Sequence, residues 1–325
     1  MRGAWKFALP TLPLVAFIIA AALPLAASTQ DFLILTMYYF LVAASWNLLT
    51  GFTGQYSFAQ AGLAAFGAYL AGGVALHMNW PAWIGFVVSP VVGLAVGAAL
   101  GLIALRVRGV QLSLITFAVA NAFGVFLSAD ADLTGGSMGM QAPRLVEDSS
   151  RGPYLLIAGA AATLYLVFQD LLLSSGFGLK MQAVRDGEAV AYGLGVNVYL
   201  VKVAAFAISA AVASFAGAFY AAYVGVLAPS MVSVNEMAMV CAMAVVGGLG
   251  TRYGALVGAF ALQIVGFVIR DYGAQYTLLL TSGLSLAVAL FFRGGLIRAV
   301  EMVASRFSRA RTPWSGAAPE SVETP

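Results

Sequence analysis

The sequence predicts an all-α polytopic membrane protein of about ten transmembrane helices. Composition is the first observation behind this: of 325 residues, 62% are apolar and 9% charged, whereas soluble proteins carry about 25% charge. The second is clumping of the charge. No Asp, Glu, Lys or Arg occurs from Phe32 to Leu105, and further uncharged runs cover Phe7–Gln30, Gly109–Ala129, Gly152–Gln169, Val203–Asn235, Met237–Thr251, Tyr253–Ile269 and Tyr272–Phe292. Each run is near or above the roughly 17–25 residues that cross a bilayer as a helix. Backbone in hydrocarbon must satisfy its polar groups internally, which selects helices over open sheet.

In chain order the predicted spans are 8–28, 32–50, 57–77, 82–105, 110–129, 153–173, 202–225, 236–250, 253–270 and 274–292. The first apolar stretch exceeds the roughly 7–15 residues of a signal-peptide core, so it is read as a retained span. The long uncharged block divides at Thr50–Tyr56 and His77–Trp83, where Gly, Pro and polar residues favour turns. The span 57–77 carries Gly62, Gly67, Gly72 and Gly73, a pattern that permits close helix approach. Pro90 is expected to kink the span that follows. Residues 1–292 thus form one transmembrane domain, with an outer loop at 130–152 and a cytoplasmic loop at 174–201. Residues 293–325 form a basic, then Pro/Ser/Ala-rich tail, expected to be a disordered cytoplasmic extension.

The basic residues orient the chain. With the N-terminus in the cytoplasm, only Arg144, Arg151 and Arg270 of the 16 Lys and Arg fall outside, the asymmetry that the positive-inside rule describes. Both termini are then cytoplasmic. The net charge of +3 is a topology signal rather than a nucleic-acid footprint.

Several chemistries are excluded. A single His (His77) and a single Cys (Cys241) make no metal cluster, disulfide or Cys–His dyad. None of Lys6, Lys180 and Lys202 follows a glycine, so the phosphate-cradling loop of ATPases is absent. No catalytic residue, metal ligand or cofactor is assigned to this chain. Asp170, Glu236, Arg270 and Asp271 all lie at predicted helix ends, which disfavours an ion-coupled carrier, a class that usually keeps an ionisable group at depth. Among uncharged polar residues, Asn47, Gln55, Gln60 and Asn121 flank glycine-dense helix ends and are the candidates for a translocation path. Two Gly-x-x-Gly pairs, Gly51–Gly54 and Gly247–Gly250, are read as unrelated. In the cytoplasmic loop, Ala183, Val184, Val190, Ala191 and Leu194 form a helical apolar stripe beside an Arg185–Glu188 pair at i,i+3. Such a helix lies on the membrane, docks in another protein's groove, or remains a solvated loop.

Four stretches resemble one family. Residues 183–197 (AVRDGEAVAYGLGVN) resemble the ATPase-coupling loop of ATP-binding-cassette import permeases. The nearest form is that of the branched-chain amino acid permeases, close to R-E-N-E-x-A-A-x-x-L-G-I-N. Residues 46–57 (WNLLTGFTGQYS), 133–140 (LTGGSMGM) and 246–254 (VGGLGTRYG) are similar to its N-L-x-x-G-x-x-G-Q-x-S, L-T-G-G-x-x-G and G-G-L-G-S/T-x-x-G. Val190 stands where the family usually has Ala, and Gly187 where it usually has Asn.

The resemblance implies a type II-like importer bundle, most similar to the M-type chain of such systems, in a bacterial inner membrane. It implies that Arg185, Glu188, Ala189, Ala191 and Gly195 belong to an ATPase-coupling helix. Thr134, Gly135 and Gly136 would then face a periplasmic substrate-binding protein. The implied partners are a homologous second permease and two cytoplasmic ATPase subunits that bind ATP and Mg, in the lipid bilayer, with no nucleic acid. Branched-chain amino acids are the implied solutes. Urea, short amides or another small solute is the alternative within the family, and a self-contained carrier or channel the alternative outside it.

Overall fold

The computed structural model describes residues 5–104, 107, 109–145, 151–269, 283 and 295–297. Apart from residue 283, the predicted span 274–292 lies outside the described residues. So does the tail from 293, apart from 295–297.

Every predicted span before residue 270 corresponds to a helix. The elements are α1 (Trp5–Ala22), α2 (Ala27–Thr53), α3 (Gln60–His77), α4 (Gly85–Ala104), α5 (Val110–Ala129), α6 (Ala131–Thr134), α7 (Gly152–Ser174), α8 (Gly176–Asp186), α9 (Glu188–Gly193), α10 (Val198–Val224), α11 (Val234–Gly248) and α12 (Gly254–Ile269). Five segments are long and apolar enough to cross a membrane: Ala27–Thr53, Ala82–Ile103, Val110–Ala129, Gly152–Ser174 and Val198–Val224. Pro13–Ala22, Val234–Gly248 and Gly254–Val268 are shorter apolar helices. The only strands among the described residues are β1 (Met140–Gln141) and β2 (Val226–Leu227), an antiparallel pair joining the outer loop to the segment after α10.

At the centre, α10 packs against α2, α3 and α4, and small residues set how closely. A Cβ on Gly217 of α10 would overlap the Ala64 carbonyl of α3, and one on Gly67 of α3 would overlap the Ser214 backbone. Along α4, Gly93, Gly97 and Gly101 face Ser214, Ala210 and Val203 in the same way. Close backbone approach supplies the dispersion contact that lipid, as apolar as the side chains, does not favour by itself. The glycines of 57–77 are therefore packing residues, and α4 continues through Pro90. On the other flank α1 packs on α7, with buried Phe17 set against Gly159.

Two helices begin part-way through the bundle. After α2 the chain turns at Gly54, which caps the helix at φ 71°, and residues 54–59 fold inward before α3 begins. Their backbone is satisfied by side chains: Trp46 donates to the Ser57 carbonyl (2.6 Å), Thr50 to that of Gln55 (3.0 Å), and Ser113 to that of Tyr56 (3.0 Å). Thr116 accepts from the Phe58 amide (3.0 Å). Irregular backbone inside a bundle requires such partners.

The second case is α11. Its first turn carries Glu236, and Tyr39 donates to that carboxylate at 3.2 and 3.4 Å. Tyr39 is midway along α2, about 18 Å by helical rise from Gly51 near that helix's end. Glu236 is thus at a helix end as predicted, yet level with the middle of α2. The reading that no ionisable group lies at depth is corrected: the helix end itself is at depth.

Because α10 has no room at Gly217, Gly217→Leu is expected to lower the unfolding midpoint of the detergent-purified chain, at a cost of about 1–3 kcal/mol or more. Gly152→Ala, where a Cβ meets nothing within 4 Å, should leave the midpoint unchanged.

Candidate functional site

The loop between α7 and α10 folds as two short helices that break at Gly187. Ser175 caps α8, its hydroxyl accepting from the Gly178 amide (3.4 Å). Gly178 lies tightly against Leu172 and Leu173. The helix stops at Gly187, and Glu188 starts α9. Gly195, at φ 79°, reverses the chain, and Asn197 caps α10 by accepting from the Leu200 amide (3.1 Å).

The break divides the predicted stripe. Met181, Val184 and Ala191 turn inward, into a cluster with Leu48, Leu49, Phe52, Leu173, Val201 and Phe206. Val190 (69% exposed), Tyr192 (70%) and Leu194 (76%) turn outward. The fold leaves this apolar triplet uncovered.

The charges do not pair as the spacing predicts. Arg185 makes an ion pair with Asp186 (3.0 Å) and donates to the Gly51 carbonyl (3.1 Å). Glu188 instead makes an ion pair with Lys202 of α10. The Arg185–Glu188 pair requires one continuous helix, and Gly187 interrupts it. Lys202 is 8% exposed, and its own carbonyl accepts from Gln55 (3.3 Å). Ala189 and Gly195 are exposed, while Ala191 anchors the segment. Sequence reasoning missed Lys202. The available signal was a lone lysine opening a long uncharged run, fourteen positions after a glutamate.

Arg185 reaches a junction of the two Gly-x-x-Gly pairs. Asn47 donates to the Thr251 carbonyl (2.9 Å) and accepts from the Gly250 amide (2.8 Å). One turn later Gly51 lies against Gly250, so close that a Cβ there would overlap the Gly250 backbone. Gly54 lies beside the Arg185 backbone. The pairs read as unrelated are in contact. Close by, Arg252 pairs with Asp170 (2.9 Å), tying the turn after α11 to the end of α7.

The four polar path candidates are not brought together. Asn47 belongs to the glycine junction. Gln55 and Gln60 face α10, where Gln60 donates to Ser209 (3.2 Å), which donates in turn to the Ser45 carbonyl (2.7 Å). The side-chain carbonyl oxygens of both glutamines are buried and have no hydrogen-bond partner among the described residues. Asn121 donates within its own helix, to Phe117 (2.9 Å).

In the outer loop, Asp130 caps α6 by accepting from the Asp132 (3.1 Å) and Leu133 (2.9 Å) amides. Thr134 and Gly136 are buried, with Thr134 donating to the Leu127 carbonyl (2.8 Å). Gly135 and Gly139 adopt positive φ, 74° and 81°. The Thr-Gly-Gly motif therefore shapes the turn, and Leu133 (58%) and Met138 (93%) are what it exposes. Nearby, Arg151 and Tyr223 both engage Asp31. The hydrogen bond and charge of that carboxylate raise the guanidinium pKa.

Level with the middle of α2, Glu236 accepts from Tyr39, whose ring is clustered with Tyr38 of α2 and Tyr220 of α10. The Tyr38 ring is 5.0 Å from that of Tyr39 and 4.7 Å from that of Tyr220. Ser233 caps α11, accepting from the Glu236 amide (3.3 Å). The Ser233-x-x-Glu236 spacing signals a helix start but says nothing of its depth.

The family model described as "Branched-chain amino acid transport system / permease component" matches residues 28–300. The chain belongs to this family. It is 27% identical to the high-affinity branched-chain amino acid transport system permease protein LivM of Escherichia coli (strain K12), over 86% of this chain and 73% of that protein. It is 26% identical to the companion LivH permease of the same organism, over 80% and 91%. The autoinducer 2 import system permease LsrC of Photorhabdus luminescens is 30% identical over 44% of this chain and 45% of its own length. No solved structure matches the chain. The family match includes every segment built above except α1.

Two outcomes follow from this geometry. Asn47→Ala leaves the Gly250 amide without its buried partner, and the unfolding midpoint should fall by the equivalent of about 1–3 kcal/mol. Lys202→Met should release α9, read as faster proteolysis between residues 185 and 195 at an unchanged midpoint for the transmembrane helices.

Proposed function

We propose that this chain is the M-type membrane subunit of an ATP-driven importer of branched-chain amino acids. It sits in a bacterial inner membrane with both termini in the cytoplasm. Its partners are a homologous permease, two cytoplasmic ATPase subunits that bind ATP and Mg, and a periplasmic substrate-binding protein. Family membership supports the transport role. The observation that carries the coupling role is the two-helix segment, held from within by Met181, Val184 and Ala191 while Val190, Tyr192 and Leu194 face outward.

In this reading the outward triplet enters a cleft of the ATPase. Arg185 and Glu188 do not touch that partner first. They fasten the segment to Gly51 and Lys202, and so to α2 and α10. Closure of the ATPase dimer would push the segment and, through those fastenings, bias the permease between inward- and outward-open states. The energy comes from contacts that differ between the two states. On the outer side, Leu133 and Met138 would meet the binding protein over the turn that Thr134, Gly135 and Gly136 shape.

The test is purification of the chain through a tag on its C-terminal tail. A second permease and ATPases should accompany it. The triple variant Val190→Ser, Tyr192→Ser, Leu194→Ser should weaken retention of the ATPases about a hundredfold, with the second permease and the unfolding midpoint unchanged. A chain that purifies alone and carries solute without ATP is a self-contained carrier, and the proposal then fails.

A further inference from the structure

Glu236 has no role in the coupling surface, and its surroundings are unusual for a carboxylate. It lies in the first turn of α11, level with the middle of α2 and partly exposed, with Tyr39 donating to it at 3.2 and 3.4 Å. Among the described residues no Lys, Arg or His comes within ion-pair distance of it. An ionised carboxylate offers about four lone-pair positions, and one tyrosine hydroxyl supplies a single hydrogen. Acceptor capacity is therefore left open on the carboxylate. The Tyr39 ring belongs to a cluster with Tyr38 and Tyr220, and aromatic faces attract cations, the more so where water is scarce. An ionisable residue retained at membrane depth is costly and marks a functional site.

A ligand complementary to this arrangement presents a compact cation with several hydrogen-bond donors. Branched-chain amino acids, the solutes of the proposed transport role, bear one, the α-ammonium group. We propose that Glu236, with Tyr38, Tyr39 and Tyr220, receives the ammonium group of the amino acid as it passes through the bundle. The carboxylate accepts two of the ammonium hydrogens, and the ring faces stabilise the charge from the side. The apolar side chain of the solute then lies toward the alanine-, methionine- and phenylalanine-lined interior. This inference rests on the proposed transport role and adds a residue-level site to it.

Two measurements test it on the intact complex. In proteoliposomes with the binding protein and ATP, Glu236→Gln should lower the maximal rate of leucine uptake about tenfold or more. Glu236→Asp should restore part of it, and Tyr39→Phe should cost a few-fold, with all three variants retaining the ATPases. In nanodiscs, calorimetry should detect isoamylamine, an ammonium ion without a carboxylate, binding to the wild-type complex and not to Glu236→Gln, while 4-methylpentanoate binds to neither. Wild-type uptake by Glu236→Gln, or equal amine binding by both, would overturn the site and leave the transport role standing. Loss of the ATPases from both Glu236 variants would make the carboxylate structural and also overturn it. A wild-type complex that imports no branched-chain amino acid would instead overturn the transport role, and the site with it.

Discussion

The rest of the structure depends on backbones meeting without side chains between them. At the inner end of the bundle, Gly51 and Gly250 touch because neither has a Cβ, and Asn47 clamps the contact from both sides with its amide. Higher up, Gly217 and Gly67 let α10 and α3 interlock, and Gly93, Gly97 and Gly101 let α4 follow the same face. Water gives a soluble protein its drive to bury apolar surface. Lipid does not, so association here rests on dispersion at short range. A single methyl in the wrong place removes that contact. The same closeness delivers the cytoplasmic segment to its place, since Arg185 finds the Gly51 carbonyl only because nothing projects from Gly51 or Gly54.

Polar groups inside the bundle follow a second constraint, that none be left in hydrocarbon unpaired. Most are spent on backbone. Trp46, Thr50, Ser113 and Thr116 hold the inward-folded loop 54–59, and Ser209 links Gln60 to Ser45. Against that background the open carbonyl oxygens of Gln55 and Gln60 and the Glu236 carboxylate stand apart. Gln55 shares Lys202 with Glu188, which joins the loop to the coupling segment through one residue.

Much of this was legible in the sequence where the signal is one-dimensional. Uncharged runs give the helices because bilayer thickness fixes their length, and the order of basic residues suggests an orientation. The helical segment after α7 was legible as a location and not as a shape. Its stripe and its ion pair both assume one continuous helix, and Gly187 ends it, turning Glu188 toward Lys202 and separating Ala191 from Val190 and Leu194. Thr134, Gly135 and Gly136 attract notice as a motif, but a Thr-Gly-Gly run can serve a turn as well as a partner, and burial alone tells which. Glu236 escaped for a different reason. Hydropathy places a residue relative to its own helix, whereas depth is a property of neighbours, here α2, whose Tyr39 is midway along it.

These positions give the fold a way to link its two ends. α11 is a single 15-residue helix, with Glu236 in its first turn and Gly248 at its end, beside the junction that Arg185 contacts. α2 runs alongside, from Tyr39 at its midpoint to Gly51. The Tyr39–Glu236 hydrogen bond ties α2 to the start of α11, and the Gly51–Gly250 contact ties α2 to the turn just after α11, about 18 Å away along α2. A push on the coupling segment that shifts α2 against α11 must alter both bridges, because neither helix has an internal break between them. If opening the inner junction lengthens the Tyr39–Glu236 contact, the carboxylate exchanges its hold on the tyrosine for a solute cation. The solute then biases the junction as strongly as the junction biases the solute. Coupling of this kind needs no conducting chain of charges through the membrane. It needs two helices that move as rods and a carboxylate whose partner changes with their offset.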